Sequence, residues 1–168
     1  MCNCNEVVEI KWAKVREDAI IPTKNEEDAG YDVYANFEDE YLAIPPHSTV
    51  MVPTGIASAL PEEYYFQIQE RGSTGTIGMK YGSGVLDSGY RGEWFVPITN
   101  TNDKFLFITK EVEEKEVFAN AINYPYSKAI AQAILLPVPK TKSVEISFEE
   151  LQKIPSKRGD GALGSSGK

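Results

Sequence analysis

Short runs in which apolar and polar residues alternate recur along this chain, and turn residues cut them roughly every ten positions, a spacing typical of all-β domains. No other feature restricts the fold as strongly. Val8-Glu9-Ile10-Lys11-Trp12 alternates apolar and charged side chains. Ser48 to Val52 runs into Pro53-Thr54-Gly55, and Tyr64 to Gln69 follows Leu60-Pro61-Glu62-Glu63. Trp94 to Ile98 and Ala129 to Val138 read as further strands, as does the short pair Val85-Leu86. Helical pattern is scarce: Glu111 to Phe118 has room for two turns and Ser147 to Leu151 for one. With no internal repeat and no long linker, 168 residues are expected to form one all-β domain with a real core.

Composition narrows the partners. The formal net charge of −8 lacks the basic footprint that non-specific nucleic-acid binding requires, so no nucleic-acid partner is expected. Any phosphate site must be local, built from a few arginines and backbone amides. No apolar run is long enough to span a bilayer, and the polar start does not read as a signal peptide, so a soluble cytoplasmic protein without a membrane partner is expected. Cys2 and Cys4 are the only cysteines and His47 the only histidine. Metal sites need three or four ligands, so the two thiols read as reduced groups on a frayed tail.

The densest chemistry lies in Gly84-Val85-Leu86-Asp87-Ser88-Gly89-Tyr90-Arg91-Gly92. A carboxylate at a strand end can polarise a water, and a ring three residues on can offer its face to a sugar. An Asp-Ser-Gly turn is also an ordinary hairpin corner. Four other segments stand out: Ala29-Gly30-Tyr31-Asp32-Val33-Tyr34-Ala35, Glu70-Arg71-Gly72-Ser73-Thr74-Gly75, Ala129-Ile130-Ala131-Gln132, and the glycine-rich Arg158 to Gly167. In order and spacing, the five resemble the five motifs of the trimeric dUTPase family, from about Ala29 to Gly167. The third and fifth are long and specific; the others are weak alone.

The resemblance implies a jelly-roll-like β-barrel assembled as a homotrimer. One barrel would occupy residues 1–157, and residues 158–168 would form a mobile arm that closes over bound nucleotide. In the family each site takes its first, second and fourth motifs from one chain, the third from a neighbour and the arm from the remaining chain. The implied reaction is hydrolysis of dUTP to dUMP and pyrophosphate by attack of water on the α-phosphorus. Asp87 matches the residue that activates the water. Tyr90 matches the ring that packs under the deoxyribose and leaves no room for a 2′-hydroxyl. Tyr81, Gly84, Val85 and Leu86 fall in the hairpin whose main chain reads uracil. Arg71, Gly72 and Ser73 match a phosphate-binding turn, and Gln132 a phosphate contact. Arg158 matches an arm arginine reaching the γ-phosphate, Leu163 the lid over the base, and Gly164, Ser165 and Ser166 the amides and hydroxyls of the phosphate cradle. Asp32 matches the carboxylate that holds Mg²⁺ through water; magnesium keeps much of its hydration, so one carboxylate with three phosphates suffices.

Four positions depart from the family pattern. Tyr81 stands where Asn is common, Gly72 where a serine is usual, Ala129 where an arginine is common and Leu163 where a phenylalanine stacks on the base. The gap from Arg71 to Asp87 is short, whereas an insertion lies at about 110–126. Comparable insertions occur in phage-encoded members, which makes a phage or prophage origin an expectation. The segment Lys110 to Tyr126 reads first as a solvated surface loop, with a docking surface for a regulatory protein as its functional alternative. Two rival activities stand beside the dUTPase reading: a dCTP deaminase-like enzyme of the same fold, and a non-catalytic repressor-binding protein on the same scaffold.

Overall fold

The computed structural model describes residues 7–82, 84–110 and 119–161. Its first strands are β1 (Lys11–Lys14), β2 (Gly30–Val33), β3 (Tyr41–Ile44), β4 (Thr49–Pro53), β5 (Ile56–Ala59) and β6 (Tyr64–Gln69). A single helical turn, α1 (Gly72–Gly75), precedes β7 (Met79–Tyr81), β8 (Val85–Leu86) and β9 (Phe95–Asn100). The chain continues through β10 (Leu106–Thr109), β11 (Ile122–Pro125), β12 (Ala131–Pro137) and α2 (Phe148–Lys153).

The all-β expectation holds. The strands divide into four hydrogen-bonded sheets, ordered β2-β12-β6-β8, β4-β9-β7, β11-β10-β3 and β1-β5. Alternation explains which faces meet. Phe66 and Ile68 of β6, Val96 and Ile98 of β9, Leu106 and Ile108 of β10, and Ala131 and Ala133 of β12 all point into one core. Trp94, 1% exposed, anchors it. Its ring meets Trp12 edge-on at 5.1 Å and Phe66 at 5.2 Å, and Tyr31 meets Phe66 edge-on at 5.8 Å. Each such pair adds about 0.5–1.5 kcal/mol beyond the area it buries.

Within 110–126 the reading of a plain surface loop needs correction. Ile122 to Pro125 form β11, which pairs in parallel with β10 at Leu106↔Ile122 and Thr109↔Pro125, and Tyr124 is 4% exposed. Lys110 lies 5.4 Å from the Phe37 ring and 5.2 Å from the Tyr126 ring, closing the base of the segment. The helical run expected over Glu111 to Phe118 lies outside the described residues, as do Cys2 and Cys4. The turn expected at Ser147 to Leu151 forms as α2, one register later. Ser147 Oγ accepts the Glu150 amide N–H at 3.2 Å, and the Glu150 carboxylate accepts the Ser147 amide N–H at 2.9 Å, the reciprocal cap that a Ser-x-x-Glu spacing encodes.

Candidate functional site

The site begins with a row of side chains across the four-stranded sheet. β12 lies between β2 and β6, and Gln132 pairs with Asp32 on one side and Gln69 on the other. Directly opposed residues share a face, so these three lie side by side. Tyr31 and Val33 take the opposite, core-facing side of β2, which leaves Asp32 turned away from the core. Gly30 is required by a close approach: a Cβ there would sit 2.8 Å from Gln132 Oε1 and 3.0 Å from Gln132 Cβ. Gln132 uses its amide to donate to the Glu70 carbonyl at 2.7 Å, tying β12 to the turn that carries Arg71.

Arg71 leaves β6 in an extended conformation and α1 starts immediately after it. Its guanidinium reaches back over the sheet, with Nε 3.1 Å from Asp32 Oδ1 and a terminal nitrogen 3.3 Å from Oδ2. The other terminal nitrogen donates to the Ala129 carbonyl at 3.3 Å. This is the planar fork for which arginine is suited and lysine is not. Asp32, Arg71, Gln132 and the backbone of Ala129 therefore form one cluster, from three separate motifs. The adjacent Glu70 pairs elsewhere, with Lys80 at 2.9 Å. Gly72 follows with no heavy atom within 4 Å of where a Cβ would stand, and Ser73 is exposed beside it.

The third motif sits differently. The hairpin expected before Asp87 is not one: β7 pairs with β9 and β8 with β6. Between β6 and the segment joining β7 to β8 lies a cleft of about 300 Å³, lined in part by Gln67, Glu70, Tyr81, Gly82 and Gly84. Tyr81 contributes to that cleft, but its phenol turns into the body and lies 2.9 Å from Thr74 Oγ1 and within reach of the Ile130 carbonyl. Burial pushes this phenol up to about 12. Val85 is exposed and Leu86 half-buried. Asp87 ends β8 with its carboxylate exposed, and its carbonyl accepts the Tyr90 amide at 3.1 Å to close the turn. The Tyr90 hydroxyl donates to the Glu93 carbonyl at 2.9 Å. Gly92 lies under that ring, since a Cβ there would come within 2.5 Å of the Tyr90 oxygen. The Tyr90 ring remains 43% exposed and open to a ligand.

Register separates the two halves of the site within one chain. Phe66 pairs with Leu86 and Gln67 with Val85, so the continuing register sets Asp87 beside Tyr65, six residues before Arg71. At ~3.3 Å per strand residue, Asp87 and Arg71 stand roughly 20 Å apart along β6.

Comparison with known proteins places this geometry. The family model described as dUTPase matches residues 16–112. The deoxyuridine 5'-triphosphate nucleotidohydrolase of Hydrogenobaculum sp. (strain Y04AAS1) is 34% identical over 161 residues, which span 92% of this chain and 94% of that protein. The chain belongs to the dUTPase family. A second dUTPase, from Leptospira interrogans, is 35% identical over 99 residues, 56% of this chain and 68% of its own length. The dUTPase of Staphylococcus bacteriophage 80alpha with dUPNHPP superposes at a TM-score of 0.72 and 23% identity, over 95% of this chain and 99% of that one. The likeness to the phage protein is one of fold.

On this dUTPase scaffold the donor set for a metal is sparse. Among the described residues no group of three or more His, Cys, Asp or Glu is placed to share an ion. Asp32 is a single carboxylate with 34% of its side chain exposed, already partnered by Arg71. Such a group suits an ion that keeps its waters and takes its remaining ligands from phosphates, which is the habit of Mg²⁺. No described helix is long and apolar enough to cross a membrane.

The C-terminal part of this dUTPase-family chain leaves the sheets. Residues 137–160 are exposed throughout, including Phe148 at 71%, Leu151 at 53% and Ile154 at 56%. Arg158 folds back locally, donating from Nε to the Gly161 carbonyl at 2.8 Å. Leu163, Gly164, Ser165 and Ser166 lie outside the described residues. Three contributors escaped the sequence reading. Gln67 carries no signal beyond its place in a strand. Thr74 stands three residues after Arg71, the spacing of a local cap. Glu93 follows Arg91-Gly92 and binds Arg16.

Proposed function

We propose that this chain hydrolyses dUTP to dUMP and pyrophosphate, and that it does so as a homotrimer. The observation that carries the reading is the cluster in which Arg71 spans from the Ala129 carbonyl to Asp32 beside Gln132. A guanidinium, a carboxylate and an amide on one partly exposed surface suit a triphosphate with its cation. Asp87 takes a proton from water as the water oxygen attacks the α-phosphorus; the bond to the bridging oxygen breaks and pyrophosphate leaves. Tyr90 presents its ring to the deoxyribose, and its position disfavours a 2′-hydroxyl. The backbone of Tyr81, Gly84, Val85 and Leu86 reads the uracil edge. Arg71, Ser73, the Gly72 amide and Gln132 bind phosphate oxygens. Arg158 reaches the γ-phosphate from the arm, Leu163 covers the base, and Gly164, Ser165 and Ser166 bind β- and γ-oxygens. Asp32 would hold Mg²⁺ through water, and the ion would supply neutralisation of the triphosphate charge.

Two features support assembly. The roughly 20 Å along β6 between Asp87 and Arg71 is too far for one substrate to bridge in one chain. The tail also carries apolar side chains away from its own core, as expected of a segment that lies on another copy. A substrate drawn from the nucleotide pool places the enzyme in the cytoplasm. A second role, capture of a regulatory protein through Lys110 to Tyr126, is supported by the fixed base that β11 and Lys110 give that segment. Removing residues 111–118 is expected to leave turnover intact and abolish that binding.

Pyrophosphate release is the test, measured with dUTP, dCTP, dTTP and UTP in parallel. The reading requires release from dUTP far above the other three. Ammonia release from dCTP would indicate the deaminase instead. Binding of dUTP without release would indicate a non-catalytic protein.

A further inference from the structure

The Thr74 and Tyr81 hydroxyls have no role in the reaction described above, yet between them they link the Arg71 backbone to the segment before β12 that accepts its guanidinium. Thr74 is 0% exposed. Its hydroxyl accepts the Arg71 amide N–H at 3.1 Å and donates to the Arg71 carbonyl at 3.0 Å. The Thr74 amide also donates to that carbonyl, at 3.1 Å. The Tyr81 phenol lies 2.9 Å from the Thr74 hydroxyl and meets the Ile130 carbonyl. Ile130 directly follows Ala129, whose carbonyl accepts the Arg71 guanidinium at 3.3 Å.

The circuit Arg71 backbone, Thr74, Tyr81, Ile130, Ala129, Arg71 guanidinium closes when the Thr74 proton turns from the Arg71 carbonyl to the Tyr81 oxygen and the Tyr81 proton goes to the Ile130 carbonyl. It fixes both ends of one long side chain relative to each other. An arginine has many rotamers, and a fork aimed at an anion loses its advantage when the carbonyl that aims it can drift. Without Tyr81, Ile130 and Thr74 lose their link, and Gln132 on the Glu70 carbonyl remains as the tie from β12 to this turn. The Tyr81 phenol is a donor across the neutral range, and burial carries that protonation further into the alkaline range, up to about 12.

We propose that Thr74 and Tyr81 are positioning residues for Arg71, setting its guanidinium for the triphosphate. The proposal rests on reading Arg71 as a phosphate-binding group.

The test is a mutant cycle read in two ways. Thr74→Val and Tyr81→Phe remove one hydroxyl each, whereas Thr74→Ser keeps it. Each is made alone and together with Arg71→Lys. Loss of one hydrogen bond in the circuit is expected to lower kcat/KM for dUTP about tenfold for Thr74→Val and for Tyr81→Phe, with Thr74→Ser within about twofold of the parent. On the Arg71→Lys background the same changes are expected to cost less than about twofold, because the group they aim is gone. Equal losses on both backgrounds, or none on either, would overturn the proposal. The second readout is hydrogen exchange of the Arg71 Nε–H by ¹⁵N NMR in the protein without nucleotide. Thr74→Val and Tyr81→Phe should speed it about tenfold, a change that Thr74→Ser should not make. Unchanged exchange would sink the positioning role even in an active enzyme. Absence of pyrophosphate release from the unmodified chain would sink the functional reading and leave the exchange result standing.

Discussion

Arg16 and Glu93, 77 residues apart in the chain, form a half-buried ion pair behind the third motif, with side chains 30% and 14% exposed. Arg16 donates to both carboxylate oxygens, one at 3.3 Å, and Glu93 Oε1 also accepts the Gly55 amide at 2.8 Å. Arg16 reaches the Asn36 carbonyl at 2.8 Å, and Asn36 donates to Asp18 at 3.0 Å, a bond that holds the Asp18 carboxyl below its ordinary value. Glu93→Gln puts an amide where a carboxylate met a guanidinium and leaves Arg16 half-buried and uncompensated. The expected loss is about 3 kcal/mol. In a domain of this size that is roughly 6–12 °C in Tm, read by calorimetry at fixed protein concentration.

Asp87→Asn is expected to abolish turnover and leave nucleotide affinity largely intact. The carboxylate acts on water in the transition state, while base, sugar and phosphates are held by other groups. A fall in kcat of about 10²–10⁴ is expected, with dUTP affinity by calorimetry nearly unchanged. A variant that kept most of its turnover would make Asp87 a turn residue only.

Gly72→Ser tests the most accessible departure from the family pattern. Nothing stands within 4 Å of the added Cβ. A new hydroxyl bonding a phosphate oxygen contributes about 0.5–1.5 kcal/mol, a gain of about two- to tenfold in kcat/KM. No change would mean that this turn does not face the scissile phosphate.

Deleting residues 158–168 is expected to remove most turnover without lowering Tm. The described part of that segment is exposed apart from Gly161, which is half-buried, and its bonds are local: Arg158 to Gly161, and the Arg158 and Gly159 amides to the Ser156 hydroxyl. Its loss should therefore leave the core intact while opening the site to water. A large drop in Tm would show that the segment belongs to the fold.

Alkaline stability should report Tyr81. Its phenol is pushed up to about 12 in the folded protein against an unfolded value of 10.0. The folded state therefore holds its proton more tightly, and that contribution is complete below pH 10.0 and fades as the pH climbs to about 12. Tyr81→Phe should show a shallower fall in Tm over that window than the parent. Parallel curves would place the alkaline loss elsewhere.

Much of the fold was legible because it is local. Tyr64 to Gln69 is β6 to the residue, and β4, β8, β9 and β12 fall where alternation put them. β1 begins later than Val8, because pairing with β5 starts at Lys11↔Ala59 and the polar–apolar rhythm cannot locate a partner. β11 was missed for the same reason: Ile122-Asn123-Tyr124-Pro125 becomes a strand through parallel pairing with a distant segment. In the site, Asp32, Arg71 and Gln132 were recognised as motif members, but their union was not. Arg71 reads from its motif as a phosphate-binding group, with Glu70 the acid beside it in sequence. The sheet order offers Asp32 instead, 39 residues away, and that order is a property of three strands together. Tyr81 likewise reads as a cleft residue until Thr74 and Ile130 are seen to hold its hydroxyl.

The place of β12 bears on synthesis. It is the seam between β2 and β6, yet it is made last of the three. On the ribosome β2 and β6 must wait, each with an open edge, until Pro137 has cleared the exit. Open edges invite pairing with other chains, and late, distant contacts slow folding. A nascent chain stopped short of Pro137 would thus lack a seam rather than a margin, and would leave Asp32 on β2 and the Arg71 turn after β6 with nothing between them.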